Sequence, residues 1–297
     1  MELQQLKYMV ALSQEHHFSR AARRANVTQP TLSQQLKKME NELGIPLFER
    51  SSRGVKLTPA GERFLPYALA TLDSLEKGVA ALQEESGKIA GRIKIGAIPT
   101  IAPYLMPQIL VALRRRALHL AIDVYEETTS LLLESLKAGK IDVGILSLPI
   151  EDPTLISKSL GKEEFFLAVG REHPLGKKKW VVPKDIKNEK LLILQEGHCF
   201  SEQALEYCKR LRQDTEIVFQ GSSLVSVMKL AAAGEGITFV PKMAVDRKEN
   251  PSLIFIPFVR PKPSREVGIV WRISAPITNA HRYLMEITER IFKIDRF

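Results

Sequence analysis

The first sixty residues show the apolar spacing of short amphipathic helices. Apolar side chains recur every three or four positions over residues 3–12, which predicts a first helix. Ser19 is expected to cap a second helix over residues 20–25, and Asn26 suits a left-handed turn residue after it. Together with a third helix, the pattern predicts a helix-turn-helix over about residues 18–37.

The third predicted helix has two different faces. Thr28 is expected to cap it, and apolar side chains then recur at intervals of four, three and four residues and should point inward: Leu32, Leu36, Met39 and Leu43. The opposite face carries side chains suited to base edges and phosphates. The predicted DNA-binding residues of this helix are Gln29, Pro30, Thr31, Ser33, Gln34 and Lys37.

A short hairpin is predicted directly after this helix. Gly44 ends the helix, and residues 47–57 have the composition of two strands with Arg53 beside the turn. Such a hairpin forms a wing, and we expect Arg53 to contact the DNA backbone. Arg50 and Lys56, taken singly, are more typical of solvated surface charges.

A long helix follows, with Thr58 and Pro59 as its start signals. Along it apolar residues alternate at three and four positions, as in a coiled-coil seam: Leu65, Ala68, Leu72, Leu75, Val79 and Leu82. This pattern favours homodimerisation through residues 59–85. The alternative is packing of the helix against its own domain.

Strand and helix patterns alternate through the remaining two hundred residues, which predicts an α/β fold with a largely parallel sheet. The predicted strands are 93–98, 120–125, 141–146, 165–169, 191–194, 216–219, 237–240 and 267–273, and the predicted helices are 103–116, 129–138, 201–211, 223–233 and 277–293. Two lobes are expected, lobe I over about 91–162 and 267–297, and lobe II over about 163–266. A ligand cleft should lie between them, at the carboxyl ends of the strands.

Composition narrows the functional class. The chain has 297 residues, 44% hydrophobic and 26% charged, as expected of a soluble globular protein of two or three domains. A net charge of +9 favours a polyanionic partner, nucleic acid first and a membrane surface second. No signal peptide, membrane span, metal-ligand spacing or cofactor motif is recognised, so we expect a cytoplasmic protein with no cofactor and no bound metal.

Both cysteines lie in one stretch of the predicted second lobe. Cys199 and Cys208 are nine positions apart, and residues 202–208 are predicted to be helical. A helix of that length would hold their Cα atoms roughly 10–16 Å apart, whereas a disulfide needs about 4.4–6.8 Å. Pairing would therefore require the helix to unwind. Cys199 beside His198 at a helix N-terminus would favour the thiolate, although two inert buried thiols are the simpler alternative.

The N-terminal motifs resemble the LysR-type transcriptional regulators. The resemblance is carried by Phe18-Ser19-Arg20-Ala21-Ala22, Asn26-Val27-Thr28-Gln29-Pro30-Thr31-Leu32-Ser33, Leu43-Gly44-Ile45-Pro46-Leu47-Phe48-Glu49-Arg50 and Leu57-Thr58-Pro59-Ala60-Gly61. It implies a winged helix-turn-helix DNA-binding domain (1–58), a linker and dimerisation helix with a hinge (59–90), and a two-lobed effector domain shaped like a periplasmic binding protein (91–297). It also implies a homotetramer that works with RNA polymerase on promoter DNA.

Within that family, the cysteine segment is similar to that of the hydrogen-peroxide sensors. This resemblance implies that Cys199 is the peroxidatic thiol, that Cys208 resolves it, and that a thiol reductant resets the disulfide. It also implies that peroxide is positioned by Thr100, Thr129, His198 and Arg265. Those sensors often carry a basic residue and a histidine where this chain has Ser201 and Val218. From the residues alone, Thr100 and Thr129 could equally be ordinary helix caps.

The favoured function is that of a non-enzymatic, peroxide-sensing regulator of oxidative-stress genes, and it has three alternatives. A LysR-type regulator could instead bind a small metabolite in the cleft, with both cysteines passive. A thiol peroxidase would leave the helix-turn-helix, wing and coiled-coil seam unexplained. A solute-binding protein for uptake would need an export signal, which we do not recognise.

Overall fold

The protein is described here from a computed structural model, which covers residues 1–51, 54–84, 89–117, 119–195, 203, 207 and 216–294. The chain divides into two compact units, the first formed chiefly by residues 1–87. None of the described helices combines the length and the apolar composition needed to cross a membrane.

The first unit is a small helical domain with a hairpin. Its elements are α1 (Leu3–Glu15), α2 (Phe18–Arg24), α3 (Gln29–Leu43), β1 (Phe48–Ser51), β2 (Gly54–Leu57) and α4 (Pro59–Glu84). Helix α1 packs against α2, α3 and the start of α4 around one apolar core. The strands β1 and β2 form the predicted antiparallel hairpin, with Phe48 opposite Leu57.

Two local predictions in this unit need correction. The cap of α2 is His17, whose Nδ1 accepts the backbone N–H of Ser19 at 3.2 Å, so Ser19 lies inside the helix. The imidazole nitrogen takes the acceptor role that we expected of the Ser19 hydroxyl. Leu43, predicted to point inward, is exposed, because it lies in the last turn of α3 just before the left-handed Gly44.

The long helix α4 has two distinct halves. In the first half Leu65, Ala68 and Leu72 pack against the core of the first unit. In the second half Leu75, Val79 and Leu82 are 44%, 51% and 71% exposed. The predicted seam therefore packs on its own domain at one end and presents an uncovered apolar edge at the other.

The second unit contains the α/β elements. They are β3 (Ala90–Ala97), α5 (Ala102–Arg116), β4 (His119–Glu126), α6 (Thr129–Lys137), β5 (Val143–Leu148), β6 (Leu155–Gly170), β7 (Lys190–Leu194), β8 (Glu216–Gly221), α7 (Leu224–Ala232), β9 (Thr238–Pro241), β10 (Leu253–Pro257), β11 (Ser264–Arg272) and α8 (Asn279–Ile294). Three short 3-10 turns, Pro174–Lys177, Pro183–Ile186 and Lys242–Ala244, lie between them.

The main sheet is mixed, not largely parallel as predicted. Strands β4, β3 and β5 are parallel neighbours, but β11 pairs antiparallel with β5 and with β6. The 16-residue strand β6 pairs with β11 as far as Glu164, and from Phe165 onward with β9 and β10. Strands β6 and β11 thus run between two lobes, and their return direction makes the pairing antiparallel.

Each lobe has its own apolar core, and Tyr104 of α5 packs against both. The predicted helices α5, α6, α7 and α8 are present with ends shifted by one or two residues. The prediction missed β10 and the first half of β6. Residues 156–159 there are exposed, so the apolar signal for a strand is weak. The predicted helix 201–211 lies outside the described residues except for Gln203 and Tyr207, which are both helical.

Candidate functional site

The first unit presents a helix-turn-helix. Ala21 and Ala22 of α2 are buried, and Asn26 adopts the predicted left-handed conformation at φ 54°. Thr28 caps α3 by accepting the N–H of Thr31 at 3.4 Å. These local interactions fix the angle at which α3 leaves the turn.

The predicted DNA-facing residues share one side of α3. Leu32, Leu36 and Met39 are buried, whereas the predicted contact residues are exposed except for the half-buried Ser33: Gln29, Pro30, Thr31, Gln34 and Lys37. The hairpin β1–β2 is held to α1 by a hydrogen bond from the N–H of Val55 to the carbonyl of His16, at 3.0 Å. Arg53 lies outside the described residues.

The second unit contains a fully buried ion pair where the two lobes meet. The Nε of Arg265 donates to Oε2 of Glu163 at 2.6 Å, and neither side chain is exposed to solvent. Arg265 on β11 lies directly opposite Glu163 on β6 in the antiparallel register. Opposed side chains in such a ladder are within contact distance. A buried charge requires a partner of this kind, because desolvation of an unpaired ion is very unfavourable.

The other guanidinium nitrogens of Arg265 bind Thr100. Its Nη1 donates to Thr100 Oγ1 at 2.6 Å and its Nη2 to the Thr100 carbonyl at 3.1 Å. The same Nη2 is 3.7 Å from the Sδ of Met243, whose backbone N–H donates to Oε1 of Glu163 at 2.8 Å. One charged centre therefore joins the loop after β3, both long strands and the turn after β9.

This geometry excludes the helix-cap interpretation of Thr100. The N-cap position of α5 is Ile101, and Thr100 is buried with its hydroxyl oxygen occupied by Arg265. Because that oxygen accepts a hydrogen bond, the hydroxyl hydrogen of Thr100 can be donated to a further group. Nearby, burial raises the pKa of Tyr104, and the Arg265 guanidinium partly opposes that rise.

Thr129 lies at an equivalent place on the neighbouring strand connection. Ala97 of β3 is paired with Glu126 of β4, so Thr100 and Thr129 each follow their strand by three residues at one edge of the sheet. The Oγ1 of Thr129 is buried and has no hydrogen-bond partner among the described residues. A buried hydroxyl without a described partner is suited to bind a small polar ligand.

In the predicted helix 201–211 of the cysteine segment, the structure describes Gln203 and Tyr207. Cys199, Cys208, His198 and Ser201 lie outside the described residues. Tyr207, the neighbour of Cys208, donates its hydroxyl to the carbonyl of Pro261 at 2.8 Å. Its ring makes edge contacts with Phe239 and Phe258, which places it against the core of the second lobe.

Sequence reasoning missed Glu163, Met243, Tyr104 and Tyr207. Glu163 had no local signal, because Arg265 precedes the predicted strand 267–273 and its place inside β11 is known only from the fold. Val218 lies in β8 and is exposed. The part of the chain that the structure describes contains no cluster of three metal-ligating side chains.

Comparison with known proteins agrees with this architecture. Residues 3–62 match the family of bacterial regulatory helix-turn-helix proteins of the lysR type, and residues 86–292 match the LysR substrate binding domain. The chain is 37% identical over 290 residues to the DNA-binding transcriptional dual regulator OxyR of Escherichia coli K12, covering 96% of this chain and 94% of that protein.

Two solved structures are similar along almost the whole chain. A full-length cysteine-substituted OxyR from Pseudomonas aeruginosa is 35% identical with a TM-score of 0.76, over 99% of this chain and 95% of that one. A cysteine mutant of Corynebacterium glutamicum OxyR with bound hydrogen peroxide is 33% identical with a TM-score of 0.68, over 99% and 93%. The two matched domains and these full-length relatives show that the chain belongs to the LysR family of bacterial transcriptional regulators.

Proposed function

We propose that this chain is a DNA-binding regulator of oxidative-stress genes that responds to hydrogen peroxide through a reversible Cys199–Cys208 disulfide. The observation that carries the proposal is the buried Arg265–Thr100 centre, in which the Thr100 hydroxyl accepts from Arg265 and keeps its own hydrogen to donate. The relatives support it, since several are named hydrogen peroxide-inducible genes activators and one solved relative holds hydrogen peroxide.

Peroxide is held by hydroxyl groups in this scheme. Thr100 donates its hydroxyl hydrogen to one peroxide oxygen, and the Thr129 hydroxyl, which has no partner among the described residues, binds the other. Arg265 keeps Thr100 in the donating orientation, and its positive charge favours the anion that develops on the leaving oxygen. His198 and the N-terminus of the following helix stabilise the Cys199 thiolate.

The redox chemistry transfers two electrons from the two thiols to peroxide. The Cys199 thiolate attacks one oxygen, the O–O bond breaks, and the departing hydroxide takes a proton to become water. Cys208 then attacks the sulfenic sulfur, which forms the disulfide and releases a second water. A thiol reductant reverses the step by disulfide exchange. Because helical geometry separates the two Cα atoms, we expect bond formation to unwind the segment between them.

The DNA response is assigned to the first unit. The exposed face of α3 and Arg53 on the wing contact operator DNA, and the uncovered end of α4 forms a homodimer. We retain the domain limits 1–58, 59–90 and 91–297, with the lobe boundaries predicted above. A homotetramer, a contact with RNA polymerase and a cytoplasmic location complete the proposal, in which the chain acts without enzymatic turnover.

Peroxide treatment followed by intact-mass measurement and operator footprinting tests the redox part. The wild type should lose two hydrogens and change its footprint, whereas the Cys199→Ser protein should do neither. The Cys208→Ser protein should stop at an oxidised Cys199 with no internal bond. An intramolecular species in Cys208→Ser would contradict the proposal, and sustained peroxide turnover with a reductant would indicate a peroxidase.

A second candidate is a metabolite-responsive regulator that uses the same cleft. The buried hydroxyls of Thr129 and Ser147, neither with a partner among the described residues, favour it because they could bind a larger polar effector. Thermal-shift screening with small polar metabolites separates the two functions. A metabolite that stabilises the protein and changes the footprint equally in wild type and Cys199→Ser would select this second function.

A further inference from the structure

We infer that the second lobe carries an additional DNA-binding surface, formed by residues 171–190, which we name the lysine double turn. Its partner is the phosphate backbone of the DNA that flanks the operator. The inference rests on the proposed DNA-binding function and assigns a contact outside the helix-turn-helix and the wing.

The charge of this segment is high for its length. It contains seven basic residues (Arg171, Lys177, Lys178, Lys179, Lys184, Lys187 and Lys190) and three acidic residues (Glu172, Asp185 and Glu189). Twenty residues thus contribute +4 to a chain whose total is +9. All seven basic side chains are exposed.

Buried apolar side chains anchor the segment that carries these charges. The segment contains the two 3-10 turns Pro174–Lys177 and Pro183–Ile186. Leu175, Val181 and Ile186 are buried in the core of the second lobe and anchor both turns. Lys177 and Lys184 lie in these packed turns and the other lysines lie within three or four residues of them, so binding a polyanion orders less chain than a loose loop would require.

Internal contacts occupy two of the three acids and leave most of the lysines available. Asp185 is paired with Lys178 and accepts the N–H of Val182 at 2.9 Å. Burial alone would raise the pKa of Asp185, but these contacts hold it below its usual value, so the carboxylate stays charged. Glu189 lies 3.4 Å from the Nε2 of His173.

The lysines that remain form the contact surface. Within the described part of the chain, no carboxylate lies at ion-pair distance from the ammonium groups of Lys177, Lys179, Lys184 or Lys187. Their mutual repulsion is relieved by a polyanion. Trp180, 56% exposed between Lys179 and buried Val181, adds an indole N–H donor for a phosphate oxygen.

DNA fits this surface better than an acidic protein because the same chain already binds DNA. A DNA-bound first unit raises the effective concentration of flanking phosphates at the second unit to the level set by the linker. Each phosphate neutralised by a lysine releases counterions, so the contact needs no particular base sequence.

The test compares full-length wild type with a Lys179→Gln, Lys184→Gln, Lys187→Gln variant. Each binds a short operator fragment and the same operator extended on both sides, over a series of salt concentrations. The matched control removes three exposed charges elsewhere in the second unit (Arg247→Gln, Lys248→Gln and Arg290→Gln). Thermal unfolding confirms that all three proteins are folded.

We expect wild type and control to bind the extended fragment more tightly than the short one. The variant should bind the short fragment like wild type but lose about tenfold on the extended one, with a salt slope smaller by about 2–3. Equal binding of variant and wild type to both fragments would overturn the inference and favour an acidic protein partner. Equal loss on both fragments would overturn it as well, since the effect would then act through the helix-turn-helix.

Failure of the wild type to bind the short operator would contradict the proposed function instead. In that case the same three proteins, compared on long non-operator DNA, still decide whether the double turn binds phosphates. The two failures are therefore distinguishable.

Discussion

Arg265 and Glu163 are 102 residues apart in the chain, yet they form an ion pair of 2.6 Å with neither side chain exposed. The same Arg265 side chain donates a hydrogen bond to the Thr100 hydroxyl. The stability of the second unit and the orientation of a proposed peroxide ligand therefore depend on one interaction.

Replacing Glu163 by alanine should strongly destabilise the second unit. The change leaves the Arg265 charge buried and unpaired, which lowers the free energy of unfolding by about 3–5 kcal/mol. Urea denaturation followed by circular dichroism measures the loss. The adjacent Glu164 supplies the control, since its pair with Lys262 is solvent-exposed and its removal should cost less than about 1 kcal/mol. Similar losses in the two variants would show that burial does not determine the effect.

Thr129→Val should separate stability from peroxide response. Valine matches the shape of threonine and removes a buried hydroxyl that has no described partner, so the unfolding free energy should stay the same or rise by up to about 1 kcal/mol. Oxidation of Cys199 should nevertheless slow by about 10-fold or more, because a ligand contact is lost. Stopped-flow oxidation kinetics and thermal unfolding measure the two effects. A variant that is destabilised but reacts normally would assign Thr129 a purely structural role.

Polar substitutions at the end of α4 should weaken dimerisation without unfolding the chain. Leu75→Gln with Val79→Gln places polar groups on the uncovered half of the seam, where both residues are exposed in the single chain. Sedimentation velocity should show a dissociation constant raised by about 10-fold or more, with unchanged circular dichroism. Leu131→Gln, at an exposed leucine of α6, is the matched control and should leave association unaltered.

Tyr207→Phe should favour the disulfide. Loss of the hydrogen bond to Pro261 removes about 0.5–1.5 kcal/mol from the reduced conformation, while the ring contacts with Phe239 and Phe258 remain. If forming the bond unwinds the segment, the midpoint potential should become more negative by about 10–30 mV. Redox titration with a thiol buffer measures the shift, and the exposed Tyr67→Phe is the control. An unchanged potential would mean that Tyr207 stays in place when the disulfide forms.

Glu289 should contribute to the acid stability of the second unit. Hydrogen bonds from Lys158 and Lys293 lower its pKa from 4.5 to about 2. The unfolded chain therefore binds more protons between these values, so this contribution is present above pH 4.5 and is lost as the pH falls toward 2. Glu289→Gln should flatten the dependence of unfolding free energy on pH within this window, measured by urea denaturation. An identical pH dependence in wild type and variant would contradict the assignment.

Local sequence determined much of the first unit. Thr28, Asn26 and Gly44 act through contacts with residues a few positions away, so their caps and left-handed turns follow from residue type. The helical spacing of Leu32, Leu36 and Met39 likewise identifies the buried face of α3 and, by exclusion, the polar face. The same local logic correctly predicted α5 to α8, but it failed for Ser19 because an imidazole nitrogen can cap as well as a hydroxyl.

Tertiary structure alone decided the contacts of Thr100 and Arg265 in the second unit. Whether Thr100 caps a helix or binds an arginine depends on Arg265, 165 residues away, and on the register that places Arg265 opposite Glu163. The exposed start of β6 and the antiparallel return of β11 carry no local signal for that register. Pairing between distant strands depends on which apolar faces the whole sheet buries. That information is spread over all the strands, so no single segment of the sequence predicts it.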